Sequence, residues 1–305
     1  MVKKIVALWK DYKKDMGLGA MGLIVIFYNS LLFTLSGVIF GYFNFYIFIP
    51  ILIYLAFFLF RKRIIHKNNK IKFLCSFVPL GLAVGINYLL VGHIDRLAGT
   101  LPRMDQVLVD MDYWIFGMQG AQWIWKHTLG WNEVLRVMFY DYLVLSYMSY
   151  YILPFYFGFL YYKNLEENEK YKVVSYFSSV NLYYAINFLF YLFIPVTGPQ
   201  YYLKEVFSEF LPLSFLGKLF YEAVHSAQYT KIDCFPSGHT GIGFLICWWL
   251  AFIKHSHFKW CCLLTLSIML ATIGLRYHYT LDLLVAIPVA ILSFYLGIRI
   301  IPEKT

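Results

Sequence analysis

Charged side chains are scarce in this sequence, since Asp, Glu, Lys and Arg make up 14% of the residues while hydrophobic residues make up 60%. Soluble globular domains carry about 25% charged residues. The scarcity therefore argues against a soluble protein and predicts an integral membrane protein. The 27 Tyr and 29 Phe fit this prediction, because aromatic rings anchor proteins at membrane interfaces.

Cysteine is also infrequent, and the five that occur do not predict a disulfide framework. Four of them lie within or beside apolar runs, where cysteine is usually a small filler, and Cys234 has no obvious partner. His255 and His257 have no carboxylate or cysteine close in sequence, so no metal site is predicted there. Nucleic-acid motifs are missing too, so the net charge of +9 does not indicate nucleic-acid binding.

Long apolar runs are abundant, and each is long enough to cross roughly 30 Å of hydrocarbon. We predict membrane spans at residues 18–38, 43–60, 73–92, 137–162, 173–195, 238–253, 260–275 and 280–299. Residues 1–72 are expected to form an N-terminal membrane hairpin with basic flanks, and residues 73–305 a second membrane domain. The first apolar run is too long for a cleaved signal peptide, so we expect it to stay as a signal anchor.

The basic residues predict the orientation of these spans. The segments assigned to the cytoplasm hold roughly 18 Lys and Arg residues and the outer segments roughly 8, which places both termini in the cytoplasm. We expect the plasma (inner) membrane as the location. Residues 93–136 and 196–237 form longer outer segments, and the first mixes aspartates with tryptophans, which is typical of short interfacial helices.

Two polar segments interrupt the edges of apolar runs, at residues 234–240 (Cys-Phe-Pro-Ser-Gly-His-Thr) and 278–282 (His-Tyr-Thr-Leu-Asp). Ionisable groups at a membrane boundary are functional candidates because their burial costs free energy. The predicted topology places both segments on the non-cytoplasmic face, together with Arg96, Arg103 and the Gly198-Pro199 turn. Each feature alone has an ordinary structural explanation, but their combination on one face favours a site.

The residue types in these segments suit phosphoryl transfer. Ser237 can cap a helix that begins at Gly238, and free N–H groups at such an end favour phosphate. His239 would project beside the bound group. His278 and Asp282 are four residues apart, so on a helix the carboxylate can orient the imidazole. The guanidinium groups of Arg276, Arg96 and Arg103 are candidates to neutralise phosphate oxygens.

These segments resemble the motifs of the type-2 phosphatidic acid phosphatase superfamily, which includes lipid phosphatases, bacterial acid phosphatases and lipid phosphotransferases. The resemblance covers roughly the last two thirds of the chain. It implies that His278 is a nucleophile that forms a phosphohistidine, that Asp282 orients it, and that His239 acts as general acid and then as general base. It also implies that Ser237 and Gly238 contact the phosphate and that no metal or other cofactor is needed.

The sequence departs from the family pattern at its arginines. Arg96 and Arg103 have the spacing of the first family motif, but Met104 stands where the family has proline. In the third motif Thr272 stands at the position of the family's arginine, and Arg276 lies closer to the nucleophile. This displacement is similar to the inositol phosphorylceramide synthase branch, as are residues 112–117 and the Gly198-Pro199 turn, while residues 278–282 also resemble sphingomyelin synthase.

Together these observations predict an all-α, polytopic transmembrane bundle of about eight spans, with a six-helix catalytic core and short interfacial helices. The predicted activity is cleavage or transfer of a phosphoester on a lipid phosphate or phospholipid headgroup. The choice between water and a lipid or polyol acceptor stays open. The alternative from another class is a transporter or flippase for a lipid-linked anion, which would carry ionisable residues near the middle of its spans.

Overall fold

The computed structural model describes residues 102–166, 172–207, 209–228 and 230–299, together with residue 169 and isolated positions between 29 and 92. The predicted spans at 18–38, 43–60 and 73–92 lie outside the described residues, apart from those isolated positions. The N-terminal hairpin, its boundary at residue 72, the signal anchor and Arg96 also lie outside them.

The described part of the chain is helical, which confirms the all-α prediction. It contains no strand, only a single bridge between Val196 and Asp233. In chain order the helices are α1 Asp105–Phe116, α2 Gly120–Thr128, α3 Glu133–Ser149, α4 Leu153–Asn164, α5 Val173–Phe193, α6 Pro199–Tyr202, α7 Phe215–Ala227, α8 Gly238–Phe252, α9 Phe258–Gly274 and α10 Thr280–Ile298.

Four of the predicted spans coincide with single helices, α5, α8, α9 and α10. The predicted span at 137–162 falls on two helices, α3 and α4, which meet at an angle of 54° because the chain breaks between Ser149 and Leu153. Pro154 explains the break, since proline has no N–H for the preceding turn and its ring clashes with that turn. The sequence pattern did not predict this break, because the residues on both sides of it are apolar.

Helix α10 is the described helix that is long and apolar enough to cross a membrane by itself. Helices α3 and α4 meet the same criterion only when they are taken together as one broken span, and α8 and α9 are shorter apolar helices. Helices of this kind also form the cores of soluble proteins, so the polytopic arrangement stays a prediction.

The chain divides into two compact units, and the first comprises Val91–Pro154 and Ile186–Ile291. In this unit one buried cluster joins α3, α7 and α9, and it contains Tyr140, Leu143, Val144, Tyr147, Val224, Ala271, Leu275 and Tyr277. A second cluster packs α1 against the segments that precede α6, α8 and α10, through Leu108, Val109, Val196, Cys234, Phe235 and Tyr279. The second cluster brings the beginnings of α8 and α10 together.

The second unit comprises Met1–Leu90, Phe155–Ala185 and Leu292–Thr305, and apart from isolated positions before residue 90 its described residues lie in Phe155–Ala185 and at the end of α10. Small residues allow close contacts there. A Cβ added to Gly158 would lie 2.5 Å from the ring of Phe177, and one added to Gly297 would overlap the side chain of Ser179.

Candidate active site

The candidate site lies where the amino-terminal ends of α8 and α10 meet. Ser237 is the N-cap residue of α8, and its Oγ accepts a hydrogen bond from the N–H of Thr240 at 3.3 Å. The N–H of Ser237 donates to the carbonyl oxygen of Asp282 at 3.2 Å. This backbone bond joins the two helix beginnings, which is why residues that are 45 positions apart in sequence share one site.

His278 and Asp282 form a buried pair. The Nδ1 of His278 lies 3.3 Å from Oδ2 of Asp282, and 4% of His278 and none of Asp282 is exposed. The same carboxylate oxygen accepts the N–H of Tyr279 at 2.8 Å. With Nδ1 turned toward the carboxylate, Nε2 is the ring nitrogen that remains for a substrate.

Cys234 is the third side chain of this group. Its Sγ lies 2.8 Å from Oδ2 of Asp282 and 3.6 Å from Nδ1 of His278. Burial raises the pKa of the Cys234 thiol well above its usual range, and the negative charge of Asp282 raises it further. The thiol is therefore protonated at neutral pH and donates to the carboxylate.

His239 faces His278 from the first turn of α8. The centroids of the two imidazoles are 5.7 Å apart, with an interplanar angle of 65°. Tyr147 and Tyr150 flank the His239 ring with centroid distances of 4.2 and 4.1 Å. Both ring nitrogens of His239 are shielded, and neither has a hydrogen-bond partner among the described residues. A buried polar atom without a partner is costly, so this ring is suited to a group that arrives with the substrate.

Gly238 opens α8 beside polar groups from α5. A Cβ at this position would lie 3.3 Å from Nδ2 of Asn187 and 3.4 Å from the hydroxyl of Tyr191. The Asn187 amide donates to that hydroxyl at 2.6 Å, and its Oδ1 has no partner among the described residues. The sequence analysis did not identify these two residues, although an asparagine within an apolar run was a usable signal.

Two aspartates of α1, whose role was also missed, fix the segment around His278. Asp112 accepts the N–H groups of Thr280 and Leu281 at 3.0 and 3.2 Å and so caps α10. Burial raises the pKa of Asp112, while these two N–H bonds act in the opposite direction. The signal was present in the sequence, because Asp105 and Asp112 are seven residues apart and therefore share one helix face.

Asp105 is fully buried and connects α1 to two other segments. It accepts hydrogen bonds from the hydroxyl of Tyr279 at 2.9 Å and from the N–H of Gly198 at 2.9 Å. The N–H and the hydroxyl of Thr197 also bind this carboxyl group, at about 3.0 Å. Asp105 therefore holds the turn before α6 beside the residue that follows His278.

The Gly198-Pro199 turn packs directly behind the site. Gly198 has a φ of 87°, and a Cβ there would lie 2.7 Å from the carbonyl oxygen of Tyr277. The N–H of Gln200 donates to the carbonyl of Arg276 at 2.8 Å. Only glycine combines this left-handed backbone with so close an approach.

Arg276, a predicted phosphate-binding residue, makes its described side-chain contacts with Phe207, Glu209 and Trp125. Arg276, at a φ of 69°, donates through Nη1 to the carbonyl oxygens of Phe207 and Glu209 at 3.3 and 2.9 Å. Its guanidinium also lies over the rings of Phe207 and Trp125, at 4.6 and 5.3 Å from their centroids. None of its described contacts involves His239 or His278.

Arg103 is exposed and precedes α1, and Arg96 lies outside the described residues. Their contact with phosphate, like that of Arg276, stays a prediction.

Comparison with known families adds an independent finding. The model of the PAP2 superfamily matches residues 116–296, which is more than half of the 305 residues. The match includes α8, α9 and all but the last two residues of α10, and it leaves Asp105 and Asp112 of α1 outside. No curated protein and no solved structure matches the chain.

Proposed function

Since the chain belongs to the PAP2 superfamily, a family of phosphatases and phosphotransferases, we propose that it is an integral-membrane enzyme acting on a lipid phosphate or a phospholipid headgroup. The family supports a phosphorylated substrate in general. We propose a lipid substrate because charged residues are scarce and because α8, α9 and α10 are apolar. The candidate site lies at the beginnings of two of these helices, α8 and α10.

One observation carries the proposal. The imidazoles of His239 and His278 face each other at 5.7 Å, and Asp282 stands behind His278 at 3.3 Å. A phosphoryl group between the two rings would have a nitrogen on either side, one for attack and one for proton transfer. His278 is anchored by a carboxylate, whereas His239 has no hydrogen-bond partner among the described residues, and this difference suits the two roles.

In the first step, Nε2 of His278 attacks phosphorus, an N–P bond forms and the bond from phosphorus to the leaving oxygen breaks. Asp282 holds the ring through Nδ1 and stabilises the positive charge that develops on it. His239 gives its proton to the departing alkoxide. Each positioned acid or base contributes about 10²–10⁴ in rate.

In the second step, a hydroxyl oxygen attacks the phosphohistidine after His239 has taken its proton, and the N–P bond breaks. Water as the attacking group gives a phosphatase, and the hydroxyl of a lipid or polyol gives a phosphotransferase. We favour transfer, because the displaced Arg276 and the Gly198-Pro199 turn resemble the inositol phosphorylceramide synthase and sphingomyelin synthase branch.

The phosphate oxygens are proposed to bind at the beginning of α8. The N–H groups of the first helical turn and the helix dipole favour an anion there, and Gly238 leaves the backbone open to it. Ser237, Asn187 and the hydroxyl of Tyr191 are the nearest further polar groups. Arg276, Arg103 and Arg96 are kept as proposed phosphate contacts, and Arg276 would have to leave the carbonyl groups of Phe207 and Glu209.

The proposed setting is a polytopic protein with cytoplasmic termini and a site that opens to the non-cytoplasmic face of the plasma (inner) membrane. The positive-inside distribution of Lys and Arg supports this orientation. The substrate would then reach the ends of α8 and α10 from the lipid, and the acceptor from the lipid or from water.

The experiment is an activity assay on the purified full chain in detergent. Short-chain phosphatidic acid and phosphodiester lipids are supplied, with and without an acceptor alcohol, and free phosphate and headgroup-exchanged lipid are measured. His278→Ala should abolish both products. His257→Ala, a change at an exposed histidine, is the matched control and should leave turnover intact. Turnover by His278→Ala close to that of the unmodified protein would refute the proposal, and movement of the lipid without any product would favour the transporter.

A further inference from the structure

Cys234 is a buried nucleophilic group that lies against the catalytic pair and that the proposed mechanism does not use. Only 2% of the residue is exposed, and it lies just ahead of α8, on the far side of the His278–Asp282 pair from the ring nitrogen that attacks phosphorus. Its Sγ contacts the carbonyl oxygen of Tyr277 at 3.4 Å as well as the Asp282 carboxylate. The thiol is thus held with its sulfur directed at both members of the pair.

The three side chains offer one sulfur, one nitrogen and one oxygen ligand within a small volume. The ligand atoms of Cys234, His278 and Asp282 all lie within 4.8 Å of one another. Such a mixed set is typical of zinc and other borderline or soft divalent cations, whereas magnesium and calcium prefer oxygen ligands alone.

The distances between the ligand atoms test this interpretation. A tetrahedral zinc ion binds these three ligand types at about 2.0–2.3 Å, which separates the ligand atoms by roughly 3.4–3.6 Å. The observed separations are 3.6 Å from Sγ to Nδ1 and 3.3 Å from Nδ1 to Oδ2. The separation from Sγ to Oδ2 is 2.8 Å because a proton now joins these atoms, and it must lengthen when that proton is lost. Oδ1 of Asp282 has no partner among the described residues, so the carboxylate can rotate.

We propose that Cys234, His278 and Asp282 form an inhibitory binding site for Zn²⁺ and for the related soft cation Cd²⁺. Binding releases the thiol proton to solvent and leaves a thiolate on the metal. The cation takes the lone pair of His278 Nδ1, so the proton of the neutral ring moves to Nε2. Nε2 then has no free lone pair with which to attack phosphorus. The metal thereby blocks the nucleophile without occupying the position of the phosphate.

The inhibitory part rests on the proposed function, whereas the binding part does not, so the two are measured separately. Binding is followed on the purified full chain by the ultraviolet charge-transfer band between thiolate and Cd²⁺. Cys234→Ser keeps a small hydroxyl donor beside Asp282 but removes the soft ligand. Cys247 and Cys261 are the necessary control, because their sulfur atoms lie 3.4 Å apart and can also bind Cd²⁺.

We expect part of the Cd²⁺ band to come from Cys234. This part should be missing in Cys234→Ser and in Cys234→Ala, and it should remain in the double variant Cys247→Ser, Cys261→Ser. A spectrum unchanged by both Cys234 variants, with the protein still folded in gel filtration, would overturn the site. His278→Ala should weaken Cd²⁺ affinity by at least about tenfold whether or not His278 is catalytic.

Inhibition is measured as the Zn²⁺ concentration that halves turnover, relative to each variant's own metal-free rate. Cys234→Ser should raise this concentration by at least about tenfold, and a chelator should restore activity. Equal inhibition of both proteins would overturn the inhibitory role. Metal binding at Cys234 with no effect on turnover would leave the site standing and would instead contradict the assignment of His278 as nucleophile.

Discussion

Replacing Asp105 with alanine tests whether α1 holds the catalytic segment. The change leaves four donors without their acceptor: the N–H and the hydroxyl of Thr197, the N–H of Gly198 and the hydroxyl of Tyr279. A buried donor without a partner costs about 1–3 kcal/mol. Four such donors would cost roughly 4–12 kcal/mol in a rigid structure. We expect about 3–5 kcal/mol, because single changes beyond that are exceptional and the turn before α6 can relax toward water.

The assay is thermal unfolding of the purified protein in detergent, followed by turnover of the folded fraction. For a chain of 305 residues, a loss of about 3–5 kcal/mol corresponds to a decrease in Tm of roughly 5–8 °C. Asp110→Ala is the matched control on the same helix, because Asp110 is exposed and bonds only the neighbouring side chain of Gln106 in the described contacts. It should change stability by no more than about 0.5 kcal/mol. Equal Tm values for the two variants would refute the reasoning about Asp105.

Three further predictions follow from the site. His239→Ala should lower kcat by about 10²–10⁴ with little change in Tm, as steady-state kinetics would show, and a normal kcat would remove it from proton transfer. Gly198→Ala should destabilise the fold by at least about 1–2 kcal/mol, because the backbone is left-handed there and the added Cβ would clash with the carbonyl oxygen of Tyr277. Gly130→Ala is the control, since a Cβ there meets nothing within 4 Å, and it should leave the Tm in thermal unfolding nearly unchanged. Asp112→Ala should cost about 0.5–2 kcal/mol by removing the cap of α10, and an unchanged Tm would show that this cap contributes nothing.

The sequence pattern predicts the local parts of this structure well. Apolar runs identify α5, α8, α9 and α10, because each of these helices is formed by one uninterrupted stretch of apolar residues in the sequence. The spacing of His278 and Asp282 led us to expect their contact on one helix face, and Nδ1 and Oδ2 do lie 3.3 Å apart. The reason is different, however, because α10 begins at Thr280 and His278 lies in the segment before it. The Ser237 cap is local, because its partner is the N–H of Thr240.

Contacts between distant segments were not predictable in the same way. Asp105 meets Tyr279 across 174 residues, and only the packing of α1 against the segment before α10 brings them together. Arg276 has a left-handed backbone, and its guanidinium lies over Phe207 and Trp125, which are distant in sequence. Cys234 looked like an isolated thiol because its partners lie 44 and 48 positions away.

The measurement closest to the central claim is the detection of a phosphoenzyme. The purified protein is mixed with a lipid substrate carrying labelled phosphate, quenched in alkali within the first turnover, and analysed for label on histidine. The account predicts an alkali-stable, acid-labile phosphohistidine at His278, its absence in His278→Ala, and its accumulation in His239→Ala if the second step becomes slower than the first. Label on another residue, or turnover in the unmodified protein without any labelled histidine, would contradict it.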